Sequence, residues 1–353
     1  YNSKVQNFNF FCGYIYIYIF ACVFTTPSIQ RHFIHTKRRF LEKSRSKMRR
    51  YLSRMREGGR MMGGKRRWEN SKNRRIDGAR HKRRKEEMES WDFLYGKSSI
   101  LAALNAEKRT AHTLMLQERM FDEYHDYVEK RSAVSKENRE LFYKLKRALE
   151  SKNVNLVSKS KMHMNEITMN RPHQGLVMKA SKIELKTIRD VPLPPDEKNN
   201  AVWLALDEIV DPQNLGALLR TAAFLGIEGV LMSSKNTAPL SPTVSKASSG
   251  ALETMNNIYA VKNLPAVLRR AEEEGEWRIL GTSLSGPVVK DLRDIETGIP
   301  TVLVLGNEGT GLRTNVLRAC TGGLVRIEGG EHEFLDSLNV SVAGGIALHH
   351  LIN

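Results

Sequence analysis

Three short segments in the last third of the chain carry side chains suited to hydrogen bonding and to charge stabilisation. They are residues 211–222, with Asn214 and Arg220; residues 303–312, with Glu308; and residues 337–348, with Ser337 and Asn339. A guanidinium can clamp a phosphate or stabilise a developing oxyanion, while carboxylate, amide and hydroxyl groups can orient a polar ligand. Together the segments predict a site that aligns a ligand by hydrogen bonds and charge.

Each of these side chains also has an ordinary structural interpretation. Asn214 and Ser337 stand where helices should begin, and such residues commonly cap the first turn. An arginine on a helix, such as Arg220, is usually solvated or paired with a carboxylate. A functional interpretation therefore depends on the three segments acting together.

The glycine-rich turn restricts the kind of ligand. Gly306, Gly309 and Gly311 do not have the G-x-G-x-x-G spacing of dinucleotide-binding folds, and no Lys-Ser/Thr pair follows as in a P-loop. A Rossmann-type dehydrogenase and a phosphate cradle are thus disfavoured. Glycines at this point still allow a ligand to approach the backbone closely.

Alternating strands and helices must position these segments. Continuous apolar runs predict strands that are buried on both faces of a parallel sheet. The predicted strands are 201–206, 229–232, 278–281, 301–305 and 323–327, and the predicted helices are 215–225, 264–274 and 340–351. Open α/β sheets bind ligands at the carboxyl ends of their strands, where all three segments begin.

A smaller α/β domain is predicted over residues 91–185. It should contain helices at 98–104 and 138–152 and strands at 113–116, 154–157 and 175–178. A proline-rich linker, 186–199, should separate it from a domain over 200–353.

The net charge of +17 lies entirely in residues 1–90, which carry 24 Lys and Arg against 7 Asp and Glu. This acid-poor extension is expected to be disordered. Its composition is typical of a mitochondrial transit peptide, and a nuclear or nucleolar RNA-binding tail is the alternative. The uncharged stretch 10–24 is short for a membrane span, which needs about 20 apolar residues. We hypothesise that residues 1–47 are not translated and that initiation occurs at Met48.

The three cysteines have no metal-binding spacing and cannot all pair, which indicates a reducing compartment. His332 lies between Glu331 and Glu333, but a single histidine on an acidic loop is usually solvated. No metal is therefore expected.

In this order and at these separations, the three segments resemble motifs 1, 2 and 3 of the SpoU/TrmH family of RNA 2′-O-ribose methyltransferases, in the SPOUT superfamily. Residues 94–175 are similar to the family's ribosomal-protein-like substrate-binding domain. Within the family the chain most resembles the mitochondrial large-subunit rRNA enzymes and their bacterial counterparts, which modify a guanosine.

The resemblance implies a deep trefoil knot in the C-terminal domain, a homodimer packed through knot helices, and S-adenosylmethionine as the methyl donor. The cofactor residues that it implies are Gly306, Ile327, Leu338 and Thr282. The catalytic residues that it implies are Asn214, Arg220, Glu308, Ser337 and Asn339. A guanidinium gives up a proton reluctantly, so we expect Arg220 to clamp the adjacent phosphate and to stabilise the developing alkoxide.

One segment departs from the family pattern. Residues 328–336 are about two residues longer and more acidic than the short, proline-containing family loop. Two alternatives to an rRNA methyltransferase stay open. They are a tRNA 2′-O-ribose methyltransferase of the same family and a non-catalytic RNA-binding factor for ribosome assembly.

Overall fold

The computed structural model describes residues 90–131, 134–194, 200–274, 277–284, 289–330 and 337–353. The predictions for residues 1–89, including initiation at Met48, and for His332 lie outside these residues. Everything described belongs to one compact unit, Arg84–Asn353. Among these residues no helix combines the length and the apolar character needed to cross a bilayer. The same residues contain no group of three or more His, Cys, Asp or Glu side chains that could hold a metal ion.

The first part of the described chain forms a mixed sheet with the strand order β1-β4-β2-β3. Its strands are β1 (Asp92–Tyr95), β2 (Ala111–Gln117), β3 (Asn155–Lys159) and β4 (Leu176–Ala180). Its helices are α1 (Lys97–Asn105), α2 (Glu118–Val128), α3 (Lys136–Glu150) and α4 (Lys161–Ile167). β2 runs parallel to β3, whereas β4 is antiparallel to both β1 and β2. The sequence did not predict β1, α2 or α4.

Both faces of this sheet are covered. On one face, Leu114 and Met178 pack with Ile100 of α1 and Phe142 of α3. On the other, Met115 and Val177 pack with Met164 of α4, as their alternation along the strands requires. The helices therefore hold a small two-sided α/β layer before residue 186.

The second sheet is parallel throughout, with the order β7-β6-β5-β10-β8-β11-β9. Its strands are β5 (Val202–Leu206), β6 (Gly229–Ser233), β7 (Ile258–Val261), β8 (Arg278–Thr282), β9 (Val289–Asp291), β10 (Thr301–Leu305) and β11 (Gly323–Arg326). Its helices are α5 (Pro212–Leu225), α6 (Pro242–Ala247), α7 (Ala251–Thr254), α8 (Leu264–Glu273), α9 (Thr314–Leu317) and α10 (Val340–Ile352). This confirms the predicted α/β class with a parallel sheet.

β5 is apolar at every position and β10 at every position after Thr301, because helices cover both faces of these central strands. Leu303 and Leu305 of β10 pack in the cluster that contains α5 and α10, whereas Val302 and Val304 pack in the cluster that contains α8. A parallel strand buried in this way reads as an uninterrupted apolar run.

Helices α5 and α10 pack closely on one face of the sheet. At Gly344 a Cβ would lie 2.6 Å from side-chain carbons of both Leu218 and Leu305, so a larger residue would push α10 away. The glycine at this position therefore permits close packing of α10 against α5 and β10. The close approach of the two helices also places the start of α10 beside the start of α5.

A buried ion cluster joins the small sheet to the large one. Arg109 Nη1 donates to Asp92 Oδ2 at 2.6 Å, and its Nε donates to Glu253 Oε1 at 3.3 Å. The side chains of Arg109 and Glu253 are fully buried. Burial raises the pKa of Glu253, and the nearby Ser245 hydroxyl and Arg109 guanidinium oppose that rise.

The segment 186–194 also docks against the large sheet. Ile188 N donates to Ala260 O on the edge strand β7, and Val191 is buried in the core beneath α8. The segment lies outside the helices and named strands, and it contributes to the core.

Candidate active site

Glu308 occupies the turn that follows β10 and reaches across to the start of α5. Its carboxylate accepts hydrogen bonds from the amides of Val210 at 3.3 Å and Asp211 at 3.1 Å, and from Asn214 Nδ2 at 3.1 Å. The residue itself is exposed, but its two carboxylate oxygens are directed toward these donors. Segment 303–312 is thereby tied to segment 211–222.

These donors set the charge state of the carboxyl group. Partial burial alone would raise the pKa of Glu308, but hydrogen bonds from its own amide, from Asn214, and from Asp211 and Val210 outweigh that effect and lower the pKa. Glu308 is therefore an ionised acceptor at neutral pH, which suits a residue that orients a neighbour and does not deliver a proton.

Asn339 brings in the third segment. Its Nδ2 donates to Asn214 Oδ1 at 3.0 Å, while its own Oδ1 accepts from the amide of Ser341 at 2.9 Å and thus caps α10. Asn214 is 8% exposed, so it is the buried centre of the set. The structure therefore joins all three predicted segments in one chain of hydrogen bonds, which we call the amide relay: Glu308, Asn214 and Asn339.

The local sequence at the start of α5 explains why Asn214 is free for this role. Asp211, and not Asn214, is the N-cap, because its Oδ1 accepts from the amide of Gln213 at 2.9 Å and Pro212 follows as the first helical residue. Asn214 lies inside the first turn and points toward Glu308. Likewise Asn339, and not Ser337, caps α10.

Two predicted residues are not joined to the amide relay. Arg220 is exposed and forms no hydrogen bond or ion pair with another described residue. Six residues after Asn214 along a helix correspond to a rotation of about 240°, so its side chain leaves α5 from another face. Ser337 is also exposed and makes no hydrogen bond within the described residues.

The residues predicted to bind the cofactor follow three adjacent strands. Thr282 ends β8, Gly306 follows β10 and Ile327 follows β11, and these strands are neighbours in the order β10-β8-β11. Because the strands are parallel, their carboxyl ends meet at one edge, where ligands of open α/β sheets bind. Leu338 stands next to Asn339 and is 49% exposed.

The turn after β10 is closed on itself and leaves no room for a side chain at Gly306. Asn307 and Gly311 exchange two backbone hydrogen bonds, of 3.0 and 2.9 Å, and a Cβ on Gly306 would lie 2.4 Å from backbone atoms of Gly311 and Leu312. The backbone groups of this turn and the apolar side chains of partly buried Ile327 and half-exposed Leu338 are the kinds of group that bind an adenine and its sugar. The residues present are thus compatible with an adenosyl cofactor.

Sequence reasoning missed the residues that fix this turn in place. Asp207, fully buried at the end of β5, accepts from the amide of Arg313 at 3.1 Å and from its Nε at 2.8 Å. Asn307 Nδ2 donates to Glu208 O at 2.9 Å. A carboxylate directly after a buried strand was the only available signal, and its partner lies 106 residues away.

The chain is similar in sequence to a known protein family. The profile of the SpoU rRNA Methylase family matches residues 201–349. The mitochondrial rRNA methyltransferase 1 of Schizosaccharomyces pombe is 37% identical over 296 residues, covering 75% of this chain and 91% of that protein. The chain belongs to the SpoU rRNA methylase family. The family predicted from the three motifs is therefore confirmed.

Two further relatives are similar over shorter stretches of the chain. The human mitochondrial rRNA methyltransferase 1 is 32% identical and covers 74% of this chain and 72% of its own. A 23S rRNA (guanosine-2′-O-)-methyltransferase RlmB from Neisseria meningitidis serogroup B is 38% identical and covers 52% of this chain and 71% of its own.

Solved SpoU-type structures share the fold. The AdoMet-bound rRNA methyltransferase from Sinorhizobium meliloti has a TM-score of 0.56 at 23% identity, covering 75% of this chain and 87% of its own. The SpoU methyltransferase AviRb from Streptomyces viridochromogenes, in complex with AdoMet, has a TM-score of 0.55 at 19% identity, covering 75% and 90%. At these identities the likeness concerns the fold alone.

Proposed function

We propose that the chain is an S-adenosylmethionine-dependent RNA methyltransferase that modifies the ribose 2′-hydroxyl of a guanosine in mitochondrial large-subunit rRNA. The amide relay carries the proposal, because it joins the family's three motifs at one edge of the parallel sheet. The names of the relatives from Schizosaccharomyces pombe and from human, and of the RlmB proteins, support the substrate class.

Four residues are proposed to hold the donor: Thr282, Gly306, Ile327 and Leu338. S-adenosylmethionine, when bound, supplies a sulfonium methyl group that is already activated for transfer. The protein's own task is then alignment, since fixing two reactants in register removes much of the entropic barrier. The turn at Gly306 and the capped start of α10 would provide rigid backbone on two sides of the donor.

Arg220 is proposed to act on the RNA. Its exposed guanidinium is not neutralised by any described carboxylate, so it can clamp a phosphate and stabilise the alkoxide that develops on the ribose. The hydrogen bonds among Asn214, Glu308 and Asn339 hold α5, the helix that carries Arg220. Ser337, in the segment before α10, is proposed to contact the nucleotide.

The architecture around the site is also part of the proposal. The small sheet, within 91–185, is proposed to bind RNA, with 186–199 connecting it to the methyltransferase domain at 200–353, whose chain is proposed to form the trefoil knot. Exposed apolar side chains on α5 and α10, namely Phe224, Val342 and Ile346, support a homodimer packed through these helices. The basic residues 1–90 are proposed to direct the protein to the mitochondrial matrix.

The decisive experiment compares Arg220→Ala with the unchanged full chain. Purified protein is incubated with labelled S-adenosylmethionine and an organellar large-subunit rRNA fragment, and donor affinity is measured separately by calorimetry. We expect loss of methyl transfer with donor affinity retained. Undiminished turnover by Arg220→Ala would refute the assignment of Arg220.

Mapping of ribose methylation after loss of the protein separates the remaining alternatives. A missing mark in organellar large-subunit rRNA supports the proposal, and a missing mark in tRNA supports the tRNA enzyme. No missing mark, with impaired ribosome assembly, supports the non-catalytic factor.

A further inference from the structure

A basic cavity lies on the side of the β10 turn that faces away from the amide relay. It encloses about 600 Å³ between the ends of β6 and β7, the start of α8 and the start of α9. The side chains relevant to its chemistry are Lys235, Lys262, Thr310, Arg313, Thr314 and Asn315. None of its lining residues is acidic.

Two of its cations are available to a ligand. Lys235 and Lys262 are exposed, and neither pairs with a carboxylate among the described residues. Arg313 differs, because its guanidinium contacts both Asp207 and Glu208 and is thereby neutralised. Arg313 is part of the wall, and the two lysines supply the free charge.

The position of Lys235 is fixed by the fold. Ser233 Oγ donates to Lys235 O at 3.1 Å and accepts from the amide of Glu208 at 3.1 Å. Glu208 Oε1 in turn accepts from Asn236 Nδ2 at 3.0 Å. Both Glu208 and Asn236 adopt positive φ, at 60° and 53°; asparagine does so readily in turns, whereas for a glutamate this conformation is uncommon and is held by the surrounding hydrogen bonds.

The same Glu208 connects the cavity to the candidate active site. Its carbonyl oxygen accepts from Asn307 Nδ2, so the turn that carries Glu308 and the turn that carries Lys235 share one anchor. Thr310 lines the cavity and lies two residues after Glu308, a separation of at most about 7 Å along the chain. A ligand long enough to pass over this turn would reach both places.

We propose that the cavity binds a backbone phosphate of the substrate RNA, beside the nucleotide that is methylated. The inference rests on the proposed function in that it takes RNA as the substrate. Two unpaired ammonium groups, with threonine hydroxyls and an asparagine amide nearby, provide the charge and the hydrogen-bond donors that a phosphodiester requires. Such contacts hold the strand in register and do not read its sequence.

The test compares the double variant Lys235→Ala/Lys262→Ala with the control Arg269→Ala/Lys290→Ala. The control removes the same charge from exposed cations that do not line the cavity and have no ionic partner among the described residues. Binding of the full-length proteins to a short fluorescein-labelled single-stranded RNA is measured by anisotropy over a series of salt concentrations.

Each phosphate contact on single-stranded nucleic acid adds about 0.7 to the slope of log affinity against log salt concentration. We expect the salt-dependence slope of the cavity variant to be smaller than that of the control by about 0.7, the value for one phosphate contact. We also expect its KM for RNA to rise by roughly tenfold or more, as for loss of a charged hydrogen bond, with kcat and donor affinity unchanged. A slope and KM equal to those of the control would overturn the proposal.

Free phosphate compounds are the rival ligands. If inorganic pyrophosphate binds the unchanged protein in a lysine-dependent manner while RNA affinity does not depend on the lysines, the cavity serves a small molecule and the proposal is wrong. The outcome is also separable from the proposed function. A protein that binds RNA through these lysines but transfers no methyl group would refute the enzyme and keep the cavity.

Discussion

The amide relay can be tested through its buried centre, Asn214. Asn214→Ala removes the 3.1 Å hydrogen bond to Glu308 and the 3.0 Å hydrogen bond from Asn339. A hydrogen bond to a charged group contributes about 1.5–3 kcal/mol and a neutral one about 0.5–1.5 kcal/mol. Glu308 keeps two backbone donors and both partners are exposed to water, so the lower limits apply. The expected loss in free energy of unfolding is about 2 kcal/mol.

Urea denaturation of the full chain measures this loss. Gln213→Ala is the matched control, since its exposed side chain makes no hydrogen bond with described residues, and it should change the free energy of unfolding by less than about 0.5 kcal/mol. A double-mutant cycle with Asn214→Ala and Asn339→Ala separates the contact between the two side chains from the loss of the α10 cap. The loss of stability in the double variant should differ from the sum of the two single losses by at least about 0.5 kcal/mol.

Two results would contradict this reasoning. Asn214→Ala could prove as stable as Gln213→Ala, which would mean that water replaces both hydrogen bonds without loss. Alternatively, the effects of Asn214→Ala and Asn339→Ala could add without coupling, which would mean that the two amides are not in contact in solution.

Further predictions concern the β10 turn. Gly306→Ala should lower the affinity for S-adenosylmethionine by at least about tenfold in calorimetry, because the added Cβ would lie 2.4 Å from backbone atoms. Gly309→Ala is the control and should bind the donor normally, because its Cβ would lie 3.6 Å from Asn307 Oδ1. The pKa of Glu308 is lower in the folded protein than its ordinary value of 4.5. The ionised carboxylate therefore stabilises the fold at pH values above 4.5, and this stabilisation is lost as the pH falls through the folded pKa. Glu308→Gln should therefore be less stable than the unchanged protein at pH 7. In urea titrations the difference in free energy of unfolding between the two proteins should become smaller below pH 4.5. A difference that does not change with pH would contradict the role of Glu308 as an ionised acceptor.

The sequence predicted the central strands of the large sheet because both their faces are buried and most of their residues are apolar. β7 (Ile258–Val261) was missed because four apolar residues are too short a run to be distinctive, and β9 (Val289–Asp291) because Lys290 and Asp291 leave it only one apolar residue. β1 was missed for a similar reason, because four residues directly before a helix give too little alternation.

The convergence of Asn214 and Glu308 was predictable because each lies in the segment that directly follows a strand of a parallel sheet, whereas Asn339 lies 13 residues after the end of β11, at the start of the next helix. Their individual roles were not. Two Asx residues flank Pro212 closely enough that sequence could not decide which one caps α5. The pairing of Asp207 with Arg313 joins segments that are far apart in the chain, and only tertiary structure reveals it.

The buried contact of Arg109 with Glu253 bears on how such enzymes can be recombined. A chimaera that grafts a different module onto residues 200–353 in place of the small sheet would cover Glu253 without supplying its guanidinium, and removing one partner of a buried ion pair costs about 3–5 kcal/mol. Exchange of the small sheet therefore requires a compensating change at Glu253.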